Sequence, residues 1–226
     1  MKHGTLHPTS IFIREAVSVF EELGFDVFEG PEVETEWYNF DALNVPADHP
    51  SRDVQDTFWL KDGRALRPHT SNCQVRYGET HEPPFRVIVP GRCFRNESTD
   101  ARHETTFYQL EGLYVDRDVK VGHLMWTLST FLEKLYGKEI KYRFRPHHYP
   151  FVEPGFDVDI MFGGKWMEIL GSGMVHPSVL ENMNIDSEKF TGFAFGLGID
   201  RLVMLKYGIT DIRQLYSNDL RFIKQF

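Results

Sequence analysis

Residues 91–116 read GRCFRNESTDARHETTFYQLEGLYVD, a polar stretch between two extended segments. The flanking residues 87–97 and 107–115 are rich in β-branched, aromatic and long side chains, a composition typical of strands. Two such segments on either side of a polar connection predict an antiparallel hairpin. The connection is longer than a hairpin needs, and loops of that kind tend to carry function.

Alternation along the return segment places Phe107, Gln109 and Glu111 on one face, because neighbouring side chains in a strand point to opposite sides. Arg95 and Glu97 share a face of the outgoing segment for the same reason. If the two faces coincide, a cation, two carboxylates, an amide and a ring meet on one surface. A solvated outer face is the simpler interpretation, but a phenyl ring gains nothing there.

Other stretches predict the elements around this hairpin. Apolar residues at helical spacing favour helices over residues 8–23 and 120–136, and a short helix over 32–43. Residues 57–60 and 65–67 predict a second hairpin, and residues 156–162 and 165–170 a third through Gly163 and Gly164. Residues 45–57 are typical of a loop. The predicted fold class is α+β, an antiparallel sheet flanked by helices.

Bulk properties limit the possible classes of protein. The chain has 226 residues and 41% hydrophobic composition, enough for one sizeable core, and we expect a single catalytic domain over residues 1–226. Its net charge of −8 argues against a protein that grips nucleic acid unaided. The sequence has neither a bilayer-length apolar run nor a signal-peptide core, and its two cysteines, Cys73 and Cys93, lack metal or disulfide-framework spacing. We therefore expect a cytoplasmic protein without a membrane partner.

The hairpin resembles the second signature of the class II aminoacyl-tRNA synthetases. The matching residues are Gly91, Arg92, Phe94, Arg95, Asn96, Glu97 and His103, then Phe107, Tyr108, Gln109, Leu110, Glu111 and Gly112. The third signature, Gly-x-Gly-x-x-Arg, fits Gly196, Gly198 and Arg201, and residues 8–31 resemble the first. The resemblance is strongest to the catalytic alpha subunits of bacterial phenylalanyl-tRNA synthetases and covers nearly the whole chain.

This resemblance implies an ATP site. Arg95 and Arg201 would be the catalytic cations, the first on the α-phosphate and the second on the terminal phosphate. Phe107 and Arg201 would sandwich the adenine, and His103 would reach the outer phosphates. Glu97 would accept from the adenine amino group or hold Arg95. The backbone around Gly198 would approach the ligand closely.

The resemblance also implies a phenylalanine site. Glu111, Gln109 and Ser71, supported by His69 and Gln74, would receive the ammonium group. The side chain would enter a pocket between Tyr149 and Phe151, with Ala194 as its floor. Tyr149 stands where bacterial relatives usually carry Phe, and its hydroxyl must find a partner if it is buried.

Glu153 is the candidate ligand for Mg²⁺, with Glu168 as a second choice, because carboxylates suit this ion where it neutralises phosphates. A structural salt bridge is the rival interpretation for both. His147 and His148 are adjacent on an extended chain and make a poor ligand pair.

The resemblance implies activation of phenylalanine by ATP and transfer of the acyl group to tRNA(Phe), with a beta-type subunit or a second copy as partner. The family's coiled-coil arm that grips tRNA is not in this sequence, so we expect good adenylate formation and poor charging by this chain alone. Three alternatives stay open: a paralogue that activates another amino acid or serves another acceptor, a non-catalytic binding module on the same fold, and a shortened form of a longer alpha subunit.

Overall fold

The predicted hairpin around residues 91–116 is present as strands β4 (Phe85–Phe94) and β5 (Thr106–Asp116). They pair antiparallel with Gly91 opposite Gln109 and Cys93 opposite Phe107. Beyond the end of β4, Arg95 donates its backbone N–H to Thr105. The ladder thus extends one step toward the loop, and Arg95 is held at the sheet's end.

The computed structural model describes residues 4–53 and 56–226. The further strands are β1 (Asp26–Val27), β2 (Val33–Glu34), β3 (Ala65–Leu66), β6 (Tyr142–Pro146), β7 (Val152–Phe162), β8 (Lys165–Val175) and β9 (Thr191–Gly198). A seven-stranded sheet has the order β1-β4-β5-β9-β8-β7-β6. Only its β1–β4 pair is parallel in the described residues. The α+β prediction is confirmed.

Helices cover both faces of this sheet. They are α1 (Pro8–Glu22), α2 (Glu36–Asn39), α3 (Ser71–Gly78), α4 (Val121–Tyr136), α5 (Pro177–Asn182), α6 (Ile199–Tyr207), α7 (Arg213–Tyr216) and α8 (Leu220–Ile223). Helices α1, α4 and α6 bury apolar residues against one face, where Phe20 stacks on Phe131 and on Phe195 of β9. Helices α3 and α5 bury Val75 and Leu180 against the other. Helix α3 borders a cleft, which its residues Ser71 and Gln74 line.

The hairpin predicted over residues 57–67 is present but short. An antiparallel bridge joins Trp59 to Ala65, and Leu66 donates its backbone N–H to Phe58. Strand β3 also pairs with β2, which the sequence did not predict. The turn itself is present, because Leu60 and Arg64 are hydrogen bonded across it. The predicted helix over residues 32–43 is split into β2, α2 and a 3-10 turn, Asp41–Leu43. Residues 54 and 55 of the predicted loop, and residues 1–3 of the predicted domain, lie outside the described residues.

No helix in residues 4–53 and 56–226 combines the length and apolar character that crossing a bilayer requires.

The back of β5 is packed too tightly for a side chain at Gly112. A Cβ at this position would lie 2.2 Å from Cζ of Phe195. Glycine therefore leaves room for the far edge of the Phe195 ring behind the strand that carries Glu111 on its other face. The shape of the apolar layer and the position of β5 are coupled at this point.

We expect Gly112→Ala to lower the free energy of unfolding by about 1–3 kcal/mol, because the added methyl group overpacks the core. Urea unfolding followed by tryptophan fluorescence measures this. Gly122→Ala is the matched control, since a Cβ there meets nothing within 4 Å. That variant should be as stable as the parent or slightly more so. Equal stability of the two variants would contradict the packing argument.

Candidate active site

A cleft of about 840 Å³ opens over β5, β8 and β9. The predicted site residues that line it are His69, Ser71, Gln74, Arg95, Glu97, His103, Phe107, Gln109, Glu111, Tyr149, Phe151, Ala194, Gly198 and Arg201. Glu153 is the predicted residue outside this lining. Residues far apart in the sequence therefore share one cavity, and the face predicted for Phe107, Gln109 and Glu111 is the face that borders it.

Glu111 is the buried carboxylate of this cleft. It is 5% exposed. It accepts hydrogen bonds from the backbone N–H of Thr70 at 3.2 Å, from Nε2 of Gln74 at 3.0 Å, and from the Ser71 hydroxyl. Burial raises the pKa of Glu111 to about 7, although the hydrogen bonds and the Arg95 charge act in the opposite direction. Burial thus favours the neutral form of the Glu111 carboxyl.

Gly196 on β9 leaves the space that Glu111 occupies. The two residues are paired across the β5–β9 ladder, and a Cβ at Gly196 would lie 3.2 Å from Cγ of Glu111. The sequence predicted a close approach along this glycine-rich strand. In the described residues, the group that approaches Gly196 is a protein side chain.

Helix α3 supplies the donors to Glu111 because it begins at the cleft. Ser71 is its first residue and Gln74 lies one turn later, so both side chains share a face. The Thr70 hydroxyl donates to the carbonyl of Val89 at 3.1 Å and ties the start of the helix to β4. The first turn of α3 is therefore fixed relative to the sheet.

His69 presents a neutral ring. Burial and the nearby Arg95 charge lower its pKa to about 3. Its Nδ1 atom is buried and has no hydrogen-bond partner within residues 4–53 and 56–226. An unpaired polar atom of this kind is costly, so a ligand that contacted it would restore a lost interaction.

Arg95 lies against the ring of Phe107. Its Cζ is 4.9 Å from the ring centroid, and its Nε donates to the carbonyl of Pro68 at 3.2 Å. The guanidinium is thereby oriented over an aromatic face that also borders the cleft. An aromatic plane next to a fixed cation can bind a heteroaromatic base and an anion attached to it.

Arg201 lies on the first turn of α6, across the cleft opening. Its Nη1 donates to the backbone carbonyl of Glu168 at 3.0 Å, and the residue is exposed. His103 is also exposed, in the loop between β4 and β5, with Nδ1 3.0 Å from Asp100. A guanidinium and an imidazole from two separate segments thus border the cavity.

Asp200 is a buried cleft residue that sequence reasoning missed. It accepts from the backbone N–H of Tyr108 at 2.7 Å and from the Tyr216 hydroxyl at 3.0 Å. Burial raises its pKa to about 6. Strand β9 ends at Gly198. Beyond that end, the Asp200 carboxylate accepts from the next backbone N–H of β5, which belongs to Tyr108. The sequence offered one signal for this residue, an acidic side chain next to Arg201 in a helix start that is otherwise apolar.

Cys93 has a role that its sequence did not reveal. Its Sγ donates to Oε1 of Gln109 at 3.3 Å. Burial raises the pKa of this thiol, so it stays a neutral donor. The amide oxygen of Gln109 has a second lone pair, so both this oxygen and the NH₂ group can still contact a ligand.

Tyr149 and Phe151 form an aromatic wall. Their rings are stacked with centroids 5.5 Å apart and an angle of 21°. A third ring between them would need about 7 Å, two stacking distances, so the two rings leave no room for the phenyl group that was expected between them. The Tyr149 hydroxyl donates to Oδ1 of Asp157 at 2.6 Å, which supplies the partner the sequence required.

The two candidate metal ligands are placed differently. Glu168 lines the cleft, and its carboxylate lies 3.3 Å from Nη2 of Arg145. Glu153 is exposed. Residues 4–53 and 56–226 contain no group of three or more His, Cys, Asp or Glu side chains arranged as a metal cage. An ion bound mainly through ligand phosphates needs only one or two carboxylates, and Glu168 fits that requirement.

Comparisons with known proteins identify the family of this chain. The family described as tRNA synthetases class II core domain (F) matches residues 1–226. A phenylalanine--tRNA ligase alpha subunit from Leptospira biflexa is 52% identical over 100% of this chain and 70% of its own length. The alpha subunit from Caldicellulosiruptor saccharolyticus is 49% identical over 99% and 69%. That from Yersinia pestis is 51% identical over 100% and 69%.

The fold agrees with a solved structure as well. A pyrrolysyl-tRNA synthetase from Desulfitobacterium hafniense superposes with a TM-score of 0.72 at 20% identity, over 94% of this chain and 74% of that one. The chain belongs to the class II aminoacyl-tRNA synthetases, and within them to the family of phenylalanine--tRNA ligase alpha subunits.

We expect the buried carboxyl of Glu111 to make the free energy of unfolding depend on pH. Its pKa is about 7 in the folded protein against 4.5 ordinarily, so between these values the folded state binds more protons than the unfolded state. The free energy of unfolding should therefore fall as pH rises through this window. Relative to Glu111→Gln, the parent should lose about 1–3 kcal/mol between about pH 5 and pH 8.

Urea unfolding at several pH values measures the two slopes. Glu168→Gln is the control, because that carboxylate is 51% exposed and should leave the parent's slope unchanged. Parallel pH profiles of the parent and Glu111→Gln would show that the carboxyl is not held in its neutral form.

Proposed function

We propose that this chain binds ATP and phenylalanine in the cleft, forms phenylalanyl-adenylate, and passes the acyl group to tRNA(Phe) with the help of a partner subunit. One observation carries the proposal. A buried carboxylate, Glu111, and two cations from separate segments, Arg95 and Arg201, border one cavity together with an aromatic plane, Phe107. The names of the alpha-subunit relatives supply the amino acid.

The chemical obstacle is charge. In the first step the carboxylate of phenylalanine attacks the α-phosphorus of ATP, and pyrophosphate leaves, so an anion must approach a polyanion. Catalysis of this kind depends on positioning and on cations around the phosphorus. Arg95 is oriented by Pro68 and Phe107 and is assigned to the α-phosphate. Arg201 and His103, at the open part of the cleft, are assigned to the outer phosphates.

The adenine is assigned to the surface of Phe107, with Arg201 on the opposite side and Glu97 near the exocyclic amine. Arg95 already lies 4.9 Å from the same ring, which makes the ring part of a cationic stack. The backbone at Gly198 offers close approach, because a Cβ there would meet nothing within 4 Å. Base and α-phosphate are then neighbours along β5.

The ammonium group of phenylalanine is assigned to Glu111, with Ser71, Gln74, His69 and Gln109 around it. Three donors already hold the Glu111 carboxylate in place, so it is preorganised for a cation. Ammonium binding favours the ionised form of Glu111, whose pKa in the free protein is about 7. The KM for phenylalanine should therefore rise as pH falls below neutrality.

Mg²⁺, when bound, neutralises phosphate charge. Glu168 is the described carboxylate that both lines the cleft and suits such an ion, and Glu153 stays the second candidate at an exposed position. The residues named above bind and orient the two substrates and stabilise charge through their own contacts.

Transfer to tRNA is assigned to a larger assembly. The chain is acidic overall, at −8, and a phosphate backbone binds to basic surfaces. The alpha-subunit names of its relatives support a beta-type subunit, and a second copy of this chain is the alternative partner. A cytoplasmic location stays a prediction, consistent with two free, buried cysteines in the described residues.

We expect Arg95→Ala to reduce phenylalanine-dependent exchange of pyrophosphate into ATP by about 10²–10³-fold, the usual cost of removing one transition-state charge contact. Arg92→Ala is the matched control. Arg92 is on the same hairpin, but it is exposed, does not line the cleft, and lies near Glu32 and the Tyr108 hydroxyl. Its exchange rate should stay within about twofold of the parent. Equal losses in both variants, or absence of exchange in the parent, would refute the assignment.

We expect Ala194→Val to raise the KM for phenylalanine by about tenfold or more, because added methyl groups reduce the space for the phenyl ring. The KM for ATP in the same exchange assay is the internal control and should change little. An unchanged KM for phenylalanine would remove Ala194 from the pocket.

A further inference from the structure

Asp157 has no place in the chemistry described so far, yet it is one of the most buried acids of the chain. It is 1% exposed and lies on β7. Oδ1 accepts from the Tyr149 hydroxyl at 2.6 Å, and Oδ2 lies 2.9 Å from Nη2 of Arg145 and 3.2 Å from Nδ1 of His147. Both carboxylate oxygens are therefore occupied, one of them by a residue of the cleft wall.

The Tyr149 hydroxyl has a space made for it. Asp157 is paired with Gly171 across the β7–β8 ladder. A Cβ at Gly171 would lie 2.7 Å from the hydroxyl oxygen and 2.9 Å from Cζ of the ring. Glycine at this position and the acid opposite thus hold the phenolic oxygen over the β7–β8 pair. Burial, followed by the bond to Asp157, raises the pKa of Tyr149, so the hydroxyl is a neutral donor.

The Tyr149 ring has two ring neighbours. Its centroid lies 4.5 Å from that of the tilted His147 ring and 5.5 Å from that of Phe151, with which it is stacked. Tyr149 thus offers the pocket an aromatic surface while its one proton is committed to Asp157. Without this bond, the hydroxyl would have to seek another partner, and the pocket beside the ring is the space open to it.

A phenyl pocket rejects a tyrosine side chain only if the extra hydroxyl is left without a partner there. An apolar pocket alone discriminates weakly between two such side chains, whereas an unpaired buried hydroxyl costs much more. A free Tyr149 hydroxyl near the pocket would give the competing substrate the partner it needs. The position of the Tyr149 hydroxyl therefore affects which amino acid is activated.

We propose that Asp157 is a specificity-determining positioning residue, which keeps the Tyr149 hydroxyl out of the phenyl pocket and so preserves selection of phenylalanine over tyrosine. This inference rests on the proposed function, since it concerns the amino acid chosen by the same cleft. It adds a residue outside the cleft lining to those that set substrate choice.

The test compares kcat/KM for phenylalanine and for tyrosine in pyrophosphate exchange. Asp157→Ala should shift the ratio toward tyrosine by about tenfold, roughly the value of one hydrogen bond to a charged acceptor. Asp157→Asn keeps an acceptor for the hydroxyl and should keep most of the selectivity. Tyr149→Phe removes the hydroxyl and should select as the parent does.

The decisive comparison is the double variant. In the Tyr149→Phe background, Asp157→Ala should no longer change the ratio, because there is no hydroxyl left to release. A merely structural role of Asp157 would lower stability and both rates in either background. A shift of the ratio by the same factor in both backgrounds overturns the proposal. An unchanged ratio in the Asp157→Ala single variant overturns it as well.

Gly171→Ala provides a second route that leaves Asp157 in place. Its methyl group would press on the hydroxyl and displace it from Asp157, so it should also shift the ratio toward tyrosine. If Asp157→Ala does not fold, Gly171→Ala decides: an unchanged ratio overturns the proposal. Failure of the parent to exchange with phenylalanine would instead refute the proposed function, so the two failures are distinguishable.

Discussion

The burial of one carboxylate, Glu111, is the constraint on which the site depends. A carboxyl group out of water must be hydrogen bonded or neutral. Here α3 provides the donors, through the backbone of Thr70 and the side chains of Ser71 and Gln74. The bonds fix the start of that helix over β5, and Gly196 on the neighbouring strand leaves the space. Helix, hairpin and glycine-rich strand are thereby held in one arrangement around the cleft.

The same constraint shapes the electrostatics of the cavity. Glu111 is buried, Arg95 is half-buried and Arg201 is exposed, so a ligand with an ammonium group and phosphates would meet opposite charges in one cleft. Neutral groups lie near them: the His69 ring has a pKa of about 3, and the Cys93 thiol is a neutral donor that orients Gln109. An acidic protein can therefore present a locally cationic entrance.

Sequence periodicity predicted what depends on neighbouring residues. Strand alternation put Phe107, Gln109 and Glu111 on one face, and helical spacing located α1 and α4 within about a residue or two. It failed where partners are distant in the chain. Strand β3 pairs with β2 in addition to its short hairpin partner, and Asp157 is joined to Tyr149 by a contact that no local pattern encodes. Asp200 was missed because its partners, Tyr108 and Tyr216, come from other segments.

The central claim is that one ligand spans the buried acid and the cation at the sheet's end. Calorimetry with a non-hydrolysable phenylalanyl-adenylate analogue tests it directly, on the parent, on Glu111→Gln and on Arg95→Ala. The account expects one analogue per chain, with affinity reduced by about tenfold or more in each variant, since each loses a charged contact. Unchanged affinity in either variant would show that the acid and the cation do not bind the same molecule, and would contradict the account.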